Sequence, residues 1–158
     1  MNQITKILIM VATTVTLGYL SGQVTQSSVD TWYPTLNKPF FTPPNAVFPI
    51  AWGILYMLMG VAAGLVWGRI EVQAPQVRRA LTFFWVQLAL NMLWSHLFFG
   101  LKNPLLALVE IVLLWLMIYE TWFLFRKIYK IAGYIMVLYM AWVTYATVLN
   151  AGIFWLNR

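Results

Sequence analysis

Cysteine is absent from this chain, which excludes disulfides, thiol nucleophiles and thiolate metal sites together. Charge is nearly as scarce: four acidic residues, ten lysines and arginines and one histidine occur among 158 residues. A metal site needs several donors at suitable spacing, and His96 has no such company. No glycine-rich phosphate loop, nucleophile elbow or paired-carboxylate signature is present, so motifs assign no catalytic residue, no metal and no cofactor. With 62% of its residues hydrophobic and 9% charged, a water-soluble domain of this size would lack the polar surface to cover itself.

What the sequence holds instead is long apolar runs. Cutting at charges and prolines gives five, at about residues 4–24, 46–67, 77–99, 104–125 and 131–155. At about 1.5 Å per residue, each can cross a hydrocarbon core of about 30 Å. The expected fold is therefore an all-α membrane protein, a single domain over residues 1–158 made of five transmembrane helices with a long ordered loop between the first two. A secretory signal is the other reading of the N-terminus, since Lys6 precedes an apolar stretch and Ser21-Gly22-Gln23 is small and polar. The run is long for a signal, and the first helix is expected to stay.

The net charge is +6, and its placement is informative. Lys6, Arg69, Arg78, Arg79, Arg126, Lys127 and Lys130 flank one side of a five-span arrangement, while Lys38, Lys102 and Arg158 flank the other. The positive-inside rule then puts the N-terminus on the cytoplasm-like side. Basic residues split between two faces do not suit nucleic acid, and the expected partners are membrane lipid and small molecules.

Gly18 and Gly22 in the first run, and Gly60, Gly64 and Gly68 in the second, stand four apart. Such stripes let helix backbones approach closely in lipid, either within one bundle or across a homodimer. Among nine tryptophans, Trp67, Trp122 and Trp155 fall near span ends and suit an interfacial belt. Trp52, Trp94, Trp115 and Trp142 fall within spans, where an indole N–H needs a partner or a polar cavity.

Gln87, Asn91, Trp94 and Phe98 share one face of the third helix, and Trp142, Ala146 and Leu149 or Asn150 make a similar stripe on the fifth. Two readings stand side by side. The carboxamides are interhelical glue, or they orient a flat, mostly apolar ligand stacked between indoles. Glu110 sits at membrane depth, neutral, paired with His96, or functional. Glu120 lies within reach of Arg126 and Lys127.

The segment WYPTLNKPFFTPPN, residues 32–45, carries four prolines and four aromatics, too stiff for a linker and too broken for a helix. Together with AWGILYMLMG, QLALNMLW, LFFG, ALVEIVLL and AWVTYATVLN, it resembles the translocator protein family, also called tryptophan-rich sensory proteins or peripheral benzodiazepine receptors. That resemblance implies a five-helix bundle that binds porphyrins, sterols and benzodiazepine-type compounds in a cavity opening toward the first loop. The pocket residues it implies are Tyr33, Trp52, Asn91, Trp94, Trp142, Ala146, Leu149 and Asn150, with Trp32, Tyr33, Pro43 and Pro44 in a lid whose aromatics, Phe40 and Phe41 included, face the cavity mouth.

Two departures from the family pattern stand out. Ala151 occupies the place of the tyrosine in the sterol-recognition motif, and Thr82 and Val86 replace glycines of a dimer face. The leading expectation is a tetrapyrrole-binding receptor, sensor or carrier with no cofactor of its own. The alternatives are light-dependent porphyrin breakdown through Trp52 and Trp142, or transport of porphyrins or sterols. Transport lacks support from two pseudo-symmetric halves or interrupted helices. The membrane expected is bacterial, with the mitochondrial outer membrane as the alternative.

Overall fold

The computed structural model describes residues 1–158. It holds five helices, α1 (Gln3–Val29), α2 (Val47–Trp67), α3 (Ala74–Ser95), α4 (Pro104–Ile128) and α5 (Lys130–Leu156), and no strand. Each helix is long and apolar enough to cross a membrane, so the all-α five-helix fold is as expected. Three ends lie beyond the apolar runs. α1 continues past residue 24 to Val29 because its polar last turns find acceptors: Ser27 Oγ donates to the Val24 carbonyl at 2.8 Å, and Ser28 Oγ to that of Phe99 at 2.7 Å. α3 starts at Ala74, with Pro75 in its first turn where a missing N–H costs nothing. α4 runs through Arg126 and Lys127, cations that suit the negative end of a helix.

Directly after α3, His96–Gly100 forms a wider π-helical turn before a sharp reversal. Lys102 takes φ 53° there, and Asn103 Oδ1 accepts from Leu106 N at 3.0 Å to cap α4, with Pro104 in its first turn. Packing runs in the order α1, α2, α5, α4, α3, and the π-turn closes the ring onto α1.

The α1–α2 seam shows what the glycine stripe is for. A methyl group built on Gly60 would lie 2.5 Å from Val11 Cα, and one on Gly64 would lie 2.5 Å from Ile7 Cα, so backbone meets backbone with no room for a side chain. Thr14 Oγ1 adds a hydrogen bond to the Tyr56 carbonyl at 2.7 Å, and Gln3 Nε2 one to the Gly64 carbonyl at 3.1 Å. Toward the other end the two helices part: Gly18 still abuts the Tyr56 ring, but Gly22 and Gly53 have nothing within 4 Å.

One end of the bundle gathers Lys6 with Glu71 at 3.8 Å, Arg69 over the Tyr129 ring at 5.0 Å, and Arg79 with Glu120 at 3.8 Å. Glu120 thus pairs with α3, not with Arg126 or Lys127, whose charges lie over Trp122 and Phe123.

The long loop covers the other end. A 3-10 turn, Tyr33–Thr35, buries Tyr33 to 3% exposure, and Lys38 Nζ donates to the Tyr33 and Leu36 carbonyls at 2.9 and 3.1 Å. Asn37 and Asn157 exchange two hydrogen bonds of 2.9 and 2.8 Å, and Tyr145 OH donates to the Phe41 carbonyl at 2.9 Å. The loop is latched to α5. Not all its aromatics face inward: Trp32 packs edge-on against Phe98 at 5.7 Å, while Phe40 is 100% exposed.

Candidate functional site

Beneath Tyr33 the aromatic residues of four elements converge. Trp52 of α2 lies 6.4 Å from Trp94 of α3 and 6.3 Å from Trp142 of α5, ring centre to ring centre, and Trp94 stacks on Phe98 at 5.3 Å. Phe48 at the start of α2 fills the angle between Tyr33, at 6.2 Å, and Trp142, at 6.4 Å. Around these rings from α2, α3 and α5 lie two neighbouring spaces.

The inner space, of about 20 Å³, has room for about one water. Its walls are Tyr33, Phe48, Trp52, Trp94, Phe98, Phe99, Trp142, Ala146, Leu149, Asn150 and Ile153. The outer space is a cleft of about 630 Å³ between the diverging halves of α1 and α2, within the usual range for a small-molecule site. Tyr33, Phe48, Trp52, Trp94 and Phe99 line both, so the two spaces share one aromatic wall.

The sequence-expected residues divide accordingly. Tyr33, Trp52 and Trp94 border the large cleft; Trp142, Ala146, Leu149 and Asn150 border only the inner end. Asn91 lines neither space. Its Oδ1 accepts a short hydrogen bond from Tyr56 OH, and its Nδ2 donates to Tyr139 OH at 2.8 Å, which makes it a three-helix tie. Asn150 borders the inner end with its amide engaged, accepting from Trp94 Nε1 at 3.1 Å and donating to the Pro104 carbonyl at 2.8 Å. Of the lid residues, Trp32, Pro43 and Pro44 line neither space. Trp115 is accounted for elsewhere, donating to Thr144 Oγ1 at 2.8 Å.

Buried among the lining residues without a hydrogen-bond partner are the Tyr33 hydroxyl and the Trp142 indole N–H. Burial, with the neighbouring Tyr145, pushes the Tyr33 phenol up to about 12, so it stays a protonated donor. Glu110 is 5% exposed with both carboxylate oxygens unpartnered; His96 lies instead against the Met92 carbonyl at 3.0 Å. No three His, Asp or Glu side chains converge on a metal-sized point.

Sequence reasoning missed the α1 side of the cleft, where Ser21, Gly22, Gln23, Gln26 and Asp30 form one wall. The signal was present as polar residues in the second half of an otherwise apolar helix, but Gly18 and Gly22 read there as packing.

Comparison with known proteins decides the family. Residues 10–156 match the model of the TspO/MBR family. The chain belongs to that family. A tryptophan-rich protein TspO from Archaeoglobus fulgidus is 38% identical over 154 residues, covering 98% of each chain. Another from Chlorobaculum tepidum is 36% identical over 99% of this chain and 98% of its own. The translocator protein of Bos taurus is 32% identical over 84% of this chain and 79% of its own. Like other TspO/MBR members, the chain is a multi-pass integral membrane protein, and its five helices and family make a receptor or carrier role the coarse functional class.

Proposed function

We propose that this protein binds flat, mostly apolar ligands of the tetrapyrrole or benzodiazepine type, in the cleft between α1 and α2 beneath the latched loop. The observation that carries the reading is the joining of a cleft of about 630 Å³ to a wall of Tyr33, Phe48, Trp52 and Trp94. Aromatic faces offer stacking area at low conformational cost, and the polar residues of the α1 wall are placed to fix orientation. Binding of protoporphyrin IX, followed by tryptophan quenching in detergent, should weaken about tenfold or more in Trp52→Leu and less in Trp142→Ala, whose indole borders only the narrow end. Equal affinity in wild type and both variants would overturn the site.

A second reading, light-dependent breakdown of the bound porphyrin, is favoured by one observation: Trp94, Trp52 and Trp142 stand in a row at 6.4 and 6.3 Å, close enough to share a radical. Illumination of the complex should then give a product spectrum that Trp52→Phe abolishes. Bleaching at the rate of free porphyrin would remove this reading.

A further inference from the structure

The depth of the long loop can be read from α5. Arg126, Lys127 and Lys130 mark the basic membrane edge at the start of that helix. A hydrocarbon core of about 30 Å, at about 1.5 Å per residue, then extends from Ile131 to about Ala151. Exposed Trp155, about one turn further on, stands where an interfacial belt belongs.

The loop meets α5 at three heights on this scale. Asn37 pairs with Asn157 beyond the core, and Pro39 lies against Gly152 at its edge. The Phe41 carbonyl accepts from Tyr145, six residues or about 9 Å inside that edge. A methyl group built on Gly152 would lie 2.5 Å from Pro39 Cγ, so the glycine is the notch that lets the segment descend along the helix. Tyr145, exposed Val148 and Gly152 follow three and four residues apart, so the segment lies along a strip of α5 that also faces lipid.

The Phe41 ring lies 6.4 Å from that of Tyr145, and Phe40 stands edge-on to Phe41 at 5.4 Å. Phe40 is the most exposed large apolar side chain of the protein. Lipid leaves an unpaired backbone group unsatisfied, and this segment has few to leave. Pro39, Pro43 and Pro44 carry no N–H, and Thr42 N and Oγ1 both donate to the Pro39 carbonyl, at 3.0 and 2.7 Å. Its one cation, Lys38, turns back to the Tyr33 and Leu36 carbonyls.

We propose that residues 37–42 are seated in the membrane: notched onto Gly152, they place the Phe40 and Phe41 rings among the acyl chains at the edge of the leaflet away from the basic end. The partner is bilayer lipid, and the seat does not depend on what the cleft holds.

Because the chain has no cysteine, single spin labels report the depth directly. Nitroxides at Phe40→Cys, at Val148→Cys as the lipid reference and at Thr35→Cys as the exposed loop reference should be compared in nanodiscs. Oxygen concentrates among acyl chains and a nickel chelate stays in water. The ratio of oxygen to nickel accessibility at position 40 should approach that at 148 and exceed that at 35 several-fold. Phe40→Cys removes no buried contact, so its unfolding midpoint should match wild type. Adding Gly152→Ala should lower the ratio at position 40 toward that at 35, since the new methyl displaces Pro39. A ratio at 40 equal to that at 35 overturns the proposal. A ratio at 40 unchanged by Gly152→Ala overturns the notch.

Discussion

Asn91 shows how one side chain serves the site without touching it. Its amide joins Tyr56 of α2 and Tyr139 of α5, and those helices carry Trp52 and Trp142. Asn91→Leu would leave two buried phenol hydroxyls without their partner, at about 1–3 kcal/mol for each unsatisfied group. The expected outcome is a clear drop in the thermal unfolding midpoint in detergent, with tyrosine and tryptophan spectra altered before ligand is added. An unchanged midpoint would remove the tie. The stripe of Gln87, Asn91, Trp94 and Phe98 was legible from its spacing, and all four are buried. Where each amide would find its partner was not, because hydrogen bonds between helices depend on rotation about each helix axis, which a single helix's periodicity leaves open.

At the scale of elements, α1 and α2 do two opposite things along one seam. Backbone contact at Gly60 and Gly64 clamps them, and the gap at Gly22 and Gly53 opens them. Substitutions at the two places should therefore differ in kind. Gly64→Leu has to push Ile7 and the α1 backbone aside, and should lower the unfolding midpoint sharply and reduce the yield of folded protein. Gly53→Ala meets open space and should leave the midpoint nearly unchanged, and Gly53→Trp should fill the cleft and block ligand while the fold persists. Similar stability losses at Gly53→Ala and Gly64→Leu would contradict this division. Spacing of four residues marks all five glycines alike, so sequence alone cannot separate a clamp from a doorway; the distinction arises only from the angle at which the helices cross.

For the molecule as a whole, the loop and the bundle form one closed end. The paired hydrogen bonds of Asn37 with Asn157, and that of Tyr145 with the Phe41 carbonyl, tie the loop to α5, so the open side of the site is the α1–α2 cleft. Asn157→Ala breaks the first tie, and should speed ligand dissociation several-fold with a smaller change in stability. Identical dissociation rates would mean that the loop is not a barrier. The five spans and the long loop between the first two were legible in apolar runs and prolines. The outward turn of Phe40 and the displacement of the roomy part of the site from α5 toward α1 were not, since both depend on how the latched loop lies across the bundle.

The measurement that tests the central claim most directly is a structure of the protein bound to protoporphyrin IX in lipid. The ring should lie between α1 and α2, against Trp52 and Trp94 and under Tyr33, with the loop still joined to Asn157. A ring found on the outer, lipid-facing surface of the bundle, with the cleft between Gly22 and Gly53 empty of it, would contradict the account.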